Sequence, residues 1–270
     1  MAAGVVREST ERVEAERPLL EHLKAMGWQH IEGARLREAG ERGDHREVLL
    51  ERRLRAALRR SSAWMQSDAH TDPALSQLRA VTRHVSAQSL PGANRDATTL
   101  LLHGVMQPGP DERDVKTPFF DWSREALEGS REEVLARNDY LVVDQLRVCG
   151  ADGRPSVLDL VLFENGVPLV VVECKSPDVR DPLGKAIRDL RAYSGRPLDD
   201  DTRHGAGAPR GIPHLFAPAQ LLVAADGKQA ALGTYSSAEQ HYALWRSVSP
   251  DYGDPARPGD DGAEELRHSA

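Results

Sequence analysis

Residues 157 to 175 read VLDLVLFENGVPLVVVECK, two apolar runs joined by Asn165-Gly166. Both runs are rich in β-branched residues. Asn-Gly is the dipeptide that best tolerates positive φ at both centres of a tight turn, so the stretch is predicted to be a β-hairpin. Side chains alternate along a strand, which sends Glu173 and Lys175 to one face and Cys174 to the other. Asp159, on the neighbouring strand, brings a second carboxylate to the same end. Charged groups at the end of an otherwise buried strand are costly to keep there. Two carboxylates beside a lysine suit a divalent cation and a water held against a phosphodiester. A solvated strand end is the plainer account of the same residues, because D-x13-E-x-K alone is a loose pattern.

Composition narrows the classes. At 270 residues and 40% hydrophobic, the chain is long enough for one sizeable core or two small ones. No apolar run approaches the roughly 20 residues that span a bilayer, and the N-terminus shows no secretory h-region. The two cysteines, Cys149 and Cys174, lack metal-ligand spacing and read as core thiols of a reducing compartment. A cytoplasmic location follows by elimination. The net charge of −7 argues against a grip on nucleic acid by bulk charge. It leaves a nuclease open, since a site that collects carboxylates for a metal is acidic by construction. Residues 49 to 60, LLERRLRAALRR, place Leu50, Leu54, Ala57 and Leu58 at helical spacing with five arginines on the remaining faces. A phosphate-facing stripe and a solvated helix face both fit that pattern.

Outward from the hairpin, a first helix is expected from Pro18, with Leu19, Leu20, Leu23 and Met26 on its apolar face and Gly27 as its stop. A second helix is expected over residues 46 to 60, and short elements over 75 to 86 and 97 to 102. Residues 140 to 148 alternate as a strand, followed by the turn pair Asp152-Gly153. After the hairpin, Asp181 can cap a helix that starts at Pro182 and carries Leu183, Ala186, Ile187, Leu190 and Tyr193 on one face, ending at Gly195. Residues 195 to 211 are polar and Gly/Pro-rich, which marks an insertion or loop. Residues 219 to 225 and 229 to 234 flank Asp226-Gly227 as one more hairpin. The last residues, 249 to 270, read as a linker or a disordered tail. Helices, meandering strands, a helix and strands again describe an α/β or α+β domain with one mixed sheet.

Several strings in the chain carry a resemblance: NDYLVVDQLRV (residues 138 to 148), DLVLFENGVPLVVVECKS (159 to 176), HLFAPAQLLVAADGKQAALGTYSSAEQHYALW (214 to 245) and the opening ERVEAERPLLEHLKAMGW (11 to 28). Together they resemble the N-terminal region of the restriction (R) subunit of type I restriction-modification enzymes, from about residue 10 to residue 245. That family carries a nuclease core of the PD-(D/E)XK type, an α/β fold with a central mixed β-sheet flanked by helices. The resemblance implies that Asp159 is the Asp of the PD element and that Glu173 and Lys175 are the E and K of ExK. Leu158 stands where the motif has proline. The family often has a Gln four residues before a Tyr on the helix after ExK. Here Tyr193 matches the Tyr, but the Gln position holds Asp189. Glu16 is the candidate for an auxiliary acid from the first helix, with Glu14 close behind and a solvated residue also compatible.

On that resemblance, residues 1–130 are expected as an N-terminal helical part packing on the nuclease core. Residues 131–248 would be the core itself and 249–270 a tail or linker. The implied activity is that of a type I site-specific deoxyribonuclease acting on double-stranded DNA and leaving a 5′-phosphate. Asp159, Glu173 and the Cys174 carbonyl would bind Mg2+, with Mn2+ able to substitute, and one or two ions both remain open. Specificity and methyltransferase subunits are the implied partners, since the chain has no base-recognition element and only 5% aromatic residues for stacking. It contains no G-x-x-x-x-G-K-[ST], so ATP is not expected to bind and the family's motor is expected to be absent. A docking or DNA-holding module that keeps the nuclease fold without catalysis is the alternative.

Overall fold

The structure, a computed structural model, describes residues 10–111, 113–196 and 211–245. Most of the loop expected at 195–211, and all of the tail at 249–270, lie outside them. In chain order, a π-helical turn (Arg12–Glu16) leads into α1 (Arg17–Ala25), β1 (Gln29–Glu32), α2 (Glu51–Ser61), α3 (Asp68–Thr82) and α4 (Leu90–His103). A small hairpin of β2 (Val105–Pro108) and β3 (Asp114–Thr117) precedes α5 (Arg124–Glu128) and α6 (Arg131–Arg137). Then come β4 (Tyr140–Cys149), β5 (Pro155–Glu164), β6 (Val167–Cys174), α7 (Pro182–Tyr193), α8 (Pro213–Phe216), β7 (Leu221–Ala225), β8 (Ala230–Gly233) and β9 (Ala243–Leu244). No helix among the described residues is long and apolar enough to cross a membrane.

The central sheet has seven strands in the order β1-β4-β5-β6-β7-β8-β9. β1 runs parallel to β4 and β6 parallel to β7, while the other neighbours are antiparallel. This is the mixed, helix-flanked sheet expected of a restriction-endonuclease-like core. The predicted hairpin is β5–β6, with Asn165 at φ 49° and Gly166 at φ 81° in its turn. Each sheet face buries its own core. Leu50, Leu54 and Leu58 of α2 and Ala186, Ile187 and Leu190 of α7 pack on the larger one, with Val161, Phe163 and Val171. Ala15, Leu20 and Leu23 cover the smaller one, over Val142, Leu160, Leu162, Val172 and Cys174.

Several local expectations change. The second helix begins at Glu51 and not at residue 46, because Val48, Leu49 and Leu50 are buried and the Leu50 N–H is drawn to the Gly166 carbonyl at 2.8 Å. α3 starts earlier than expected and ends at Thr82, short of residue 86; α4 extends beyond its expected bounds; and β1, β2, β3, β9, α5, α6 and α8 were not anticipated. Met26 sits at the end of α1 and is exposed. Asp181 precedes α7 without capping it. Its backbone is left-handed at φ 54° and its carboxylate accepts instead from Arg188 at 3.2 Å.

Four of the five arginines of α2 pair with acids, although Arg52 and Arg60 remain exposed to solvent. Arg53, with a side chain 13% exposed, lies 3.1 Å from Glu41 and 2.8 Å from Asp139. Arg52 reaches Glu41, Arg55 reaches Asp72, Arg59 reaches Asp68, and Arg60 donates to Asn165 in the hairpin turn. Arg53 is therefore a buried brace between α2 and the sheet, while the pairs to α3 lie at the surface. Arg53→Ala should lower the unfolding free energy by about 3 kcal/mol, the low end for breaking a buried pair because Arg52 still faces Glu41. Chemical denaturation of the variant checks this. A loss under about 1 kcal/mol would return Arg53 to the solvated-face reading.

Candidate active site

The site forms where β5 and β6 stop pairing. Their ladder runs from Glu164↔Val167 to Leu160↔Val172. Beyond it the Asp159 carboxylate replaces a backbone carbonyl, and its Oδ2 accepts the Cys174 N–H at 2.7 Å. The side-chain phase of β5 shifts at the same level. Leu160 and Leu162 enter the smaller core and Val161 and Phe163 the larger, yet Leu158 joins the larger as well. β4 shifts in step, with Val142 in the smaller core and Leu146 and Val148 in the larger. The ladder between them pairs Asp144 with Leu160 and Leu146 with Leu158, passing over Gln145 and Asp159. Gln145 carries this kink at φ 48°, a left-handed conformation uncommon for a residue with a Cβ. Gly33 makes room for it: a Cβ there would lie 2.5 Å from the Gln145 carbonyl oxygen.

Glu173 and Lys175 leave β6 on the face covered by α7, while Cys174 points into the smaller core, as the alternation predicts. Lys175 Nζ donates to Glu173 Oε1 at 2.6 Å, lies 3.1 Å from Asp189 Oδ2 on α7 and 4.0 Å from Glu11. Asp189, where the resemblance led one to expect Gln, thus partners the lysine. Glu173 is 3% exposed, and its Oε2 is buried without a hydrogen-bond partner. Tyr193, one turn beyond Asp189, donates to the Val157 carbonyl at 3.4 Å. Burial, with the charges of Glu173 and Asp189, raises its phenol, so it remains a neutral donor.

From the other face, the π-helical turn delivers Glu16. Gln145 Nε2 donates to Glu16 Oε2 at 2.7 Å and to Asp159 Oδ1 at 3.2 Å, which ties the auxiliary acid to the central one. Glu14 is exposed. The buried Asp144 accepts from Arg12 and lies against His30, each at 3.0 Å, and Arg12 also lies 3.8 Å from Glu16. The structure therefore brings together Glu16, Asp159, Glu173 and Lys175, with Tyr193 nearby. It adds Gln145, Asp144, Glu11 and Arg12, which sequence reasoning missed. The signal for the first two was Asp144-Gln145, adjacent polar residues in a largely apolar strand.

Burial drives these carboxyls toward their protonated forms. It raises Asp159, with the Cys174 N–H and Lys175 pulling back. Burial and the Asp159 charge push Glu173 up to about 8 against the pull of Lys175, and push Glu16 to about 7 against Arg12. Burial works to lower Lys175, but Glu173 and Asp189 outweigh it and hold the ammonium charged. The chemistry of the set fits a hard cation. Oxygen ligands converge, one buried carboxylate oxygen has no partner, and a positive charge would relieve the repulsion that raises both acids. Among the described residues no three His, Cys, Asp or Glu side chains gather closely enough to cage a metal by themselves. The proposed ligand set is instead two carboxylates and a backbone carbonyl. A cavity of about 770 Å³ opens elsewhere, between Arg46, Arg83, His84, Cys149 and His214, and includes none of these acids. Burial holds His214 neutral there, down to about 4, so the convergent chemistry lies at the strand fork.

A family model described as type I restriction enzyme R protein N terminus matches residues 8–241. The putative type I restriction enzyme MjaIXP endonuclease subunit of Methanocaldococcus jannaschii is 25% identical over 242 residues, covering 87% of this chain and 20% of that protein. The type I restriction enzyme HindI endonuclease subunit of Haemophilus influenzae is 26% identical over 236 residues, covering 86% of this chain and 20% of that protein. The chain spans about a fifth of the length of these relatives.

The raised acids dictate a pH dependence in chelator. A carboxyl whose folded value lies above its ordinary 4.5 stabilises the fold fully below that pH and loses its contribution as pH climbs through the folded value. Metal-free protein should therefore lose stability between about pH 4.5 and pH 8 from Glu173. Glu173→Gln should flatten that decline, whereas the slope from Glu164, raised by burial to about 7, stays in both proteins. Thermal unfolding in EDTA across that range measures the difference, and parallel curves would show that Glu173 is not raised.

Proposed function

Because the chain belongs to the family of type I restriction enzyme R protein N termini, we propose that it is a Mg2+-dependent DNA endonuclease module that hydrolyses phosphodiester bonds. The observation that carries this reading is the convergence of Asp159 and Glu173 at the fork of β5 and β6, with Lys175 bonded to one Glu173 oxygen and the other oxygen unpartnered. Asp159, Glu173 and the Cys174 carbonyl would hold the cation, with Glu16 as auxiliary acid. When bound there, Mg2+ would supply positive charge for the phosphate and make water a better nucleophile near neutral pH. Asp159 stays aimed by the Cys174 N–H. Lys175 orients the attacking water by hydrogen bonding and neutralises charge building on the phosphate. Tyr193, whose hydroxyl donates to the Val157 carbonyl, would be an auxiliary group on α7. Double-stranded DNA is the proposed substrate. Site choice is assigned to specificity and methyltransferase partners, and ATP to parts of such a subunit outside this chain. A cytoplasmic setting follows from that role.

One observation favours a second reading, a silent docking module. Lys175 is engaged by both Glu173 and Asp189, so its charge is already answered within the protein. Titration calorimetry with Mg2+ and Mn2+ separates the two. The nuclease reading expects binding by the wild type that weakens more than about tenfold in both Asp159→Asn and Glu173→Gln. A wild type that binds neither ion would put the docking module first. Asp189→Gln supplies a second check: as a nuclease, the variant leaves Lys175 to Glu173 alone and should keep metal binding while altering nicking of supercoiled plasmid.

A further inference from the structure

Gln145 occupies a position that neither packing nor pairing explains. It lies within a strand whose neighbours Leu141, Val142, Val143, Leu146 and Val148 are all buried, yet its own backbone is left-handed and its partner across the ladder, Asp159, is skipped. Non-glycine residues held at positive φ cost free energy and persist where the surroundings over-determine them, often at functional sites. The surroundings here are specific. Gly33 leaves space for the displaced carbonyl, and the side-chain amide ends between two carboxylates, at 2.7 Å from Glu16 and 3.2 Å from Asp159. An amide nitrogen has two hydrogens, one for each acid, and no charge. An Arg or Lys there would place a permanent cation where a metal is to be bound. A Glu would add a third like charge.

We infer that Gln145 is a positioning residue for the cation site, setting the separation and orientation of Glu16 and Asp159 through one neutral amide. This rests on the reading of Asp159 and Glu173 as cation ligands, and it adds the group that lets an acid from the far face of the sheet join them. Partners of metal ligands commonly change affinity by about 10–100-fold when removed. The kink and the amide are separable roles. The kink needs only a residue at ease with positive φ, whereas holding the acids needs the amide at this reach.

The test uses Gln145→Gly, which suits the left-handed backbone at least as well as glutamine and removes the side chain, amide included. Gln145→Asn keeps the amide but shortens it by one methylene. Mn2+ calorimetry should show binding about 10–100-fold weaker in the glycine variant, with the asparagine variant in between and circular dichroism unchanged in both. A merely structural Gln145 would leave Mn2+ affinity within about twofold, since glycine preserves the kink, and that result overturns the inference. A second readout is independent of metal. In EDTA, the changes in unfolding midpoint for Gln145→Gly and Glu16→Gln should be non-additive in the double variant, because the amide acts on that carboxylate. Additive changes overturn the inference. If the wild type binds no Mn2+, the nuclease reading fails and this cycle alone decides whether Gln145 holds Glu16.

Discussion

The hydrogen bond from the Cys174 N–H to Asp159 is the constraint on which the site depends. Where β5 and β6 diverge, each backbone N–H that loses its ladder partner needs another, since a buried unpaired amide costs about as much as a lost hydrogen bond. Asp159 meets that need with a carboxylate oxygen and is thereby fixed at the mouth of the fork. Its other oxygen turns toward Gln145. The same divergence that ends the ladder opens the space in which Glu173, one residue past the last pair, keeps one oxygen free.

Holding three acids in so little water requires compensation, and it comes from each side of the sheet. On the α7 face Lys175 answers Glu173 and Asp189. On the α1 face Arg12 answers Asp144 and, at longer range, Glu16. Neither pair fully quenches the burial penalty, which is why Glu16 and Glu173 rise. The arginine-rich α2 is no reserve of positive charge for this purpose, because Glu41, Asp139, Asp68 and Asp72 already engage it. Most cations of α2 are thus taken up by local acids, Arg53 in a buried pair and the others at the surface, and leave the carboxylate cluster unquenched.

Much of this was legible in sequence because it is local. The Asn165-Gly166 turn, the alternation that separates Glu173 and Lys175 from Cys174, and the apolar face of α7 each follow from periods of two or 3.6 residues. What escaped depends on partners far along the chain. The choice between Glu14 and Glu16 was open because a π-helical turn, and not a regular helix, decides which of the two faces the sheet. The role of Asp189 was read as a mismatch because its partner, Lys175, lies on another element. The arginines of α2 read as a free face because Glu41, Asp68, Asp72 and Asp139 carry no signal of their own in sequence. Helix α2 began later than its pattern suggested since Leu50 bonds to the hairpin turn, a tertiary demand that overrides local propensity.

The two halves of the site also differ in how far the chain must travel to build them. Asp159 and Cys174 are 15 positions apart and meet through a tight turn, whereas Glu16 and Gln145 are 129 apart and meet only after β1 has docked beside β4. Closing a long loop is slow relative to zipping a hairpin. The pair of Asp159 and Glu173 can therefore be in place while the N-terminal arm is still searching. During synthesis that arm leaves the ribosome before the strand that it needs has been made. Contact order therefore favours an assembly that runs opposite to the order of the chain, with the hairpin as template for the first helix.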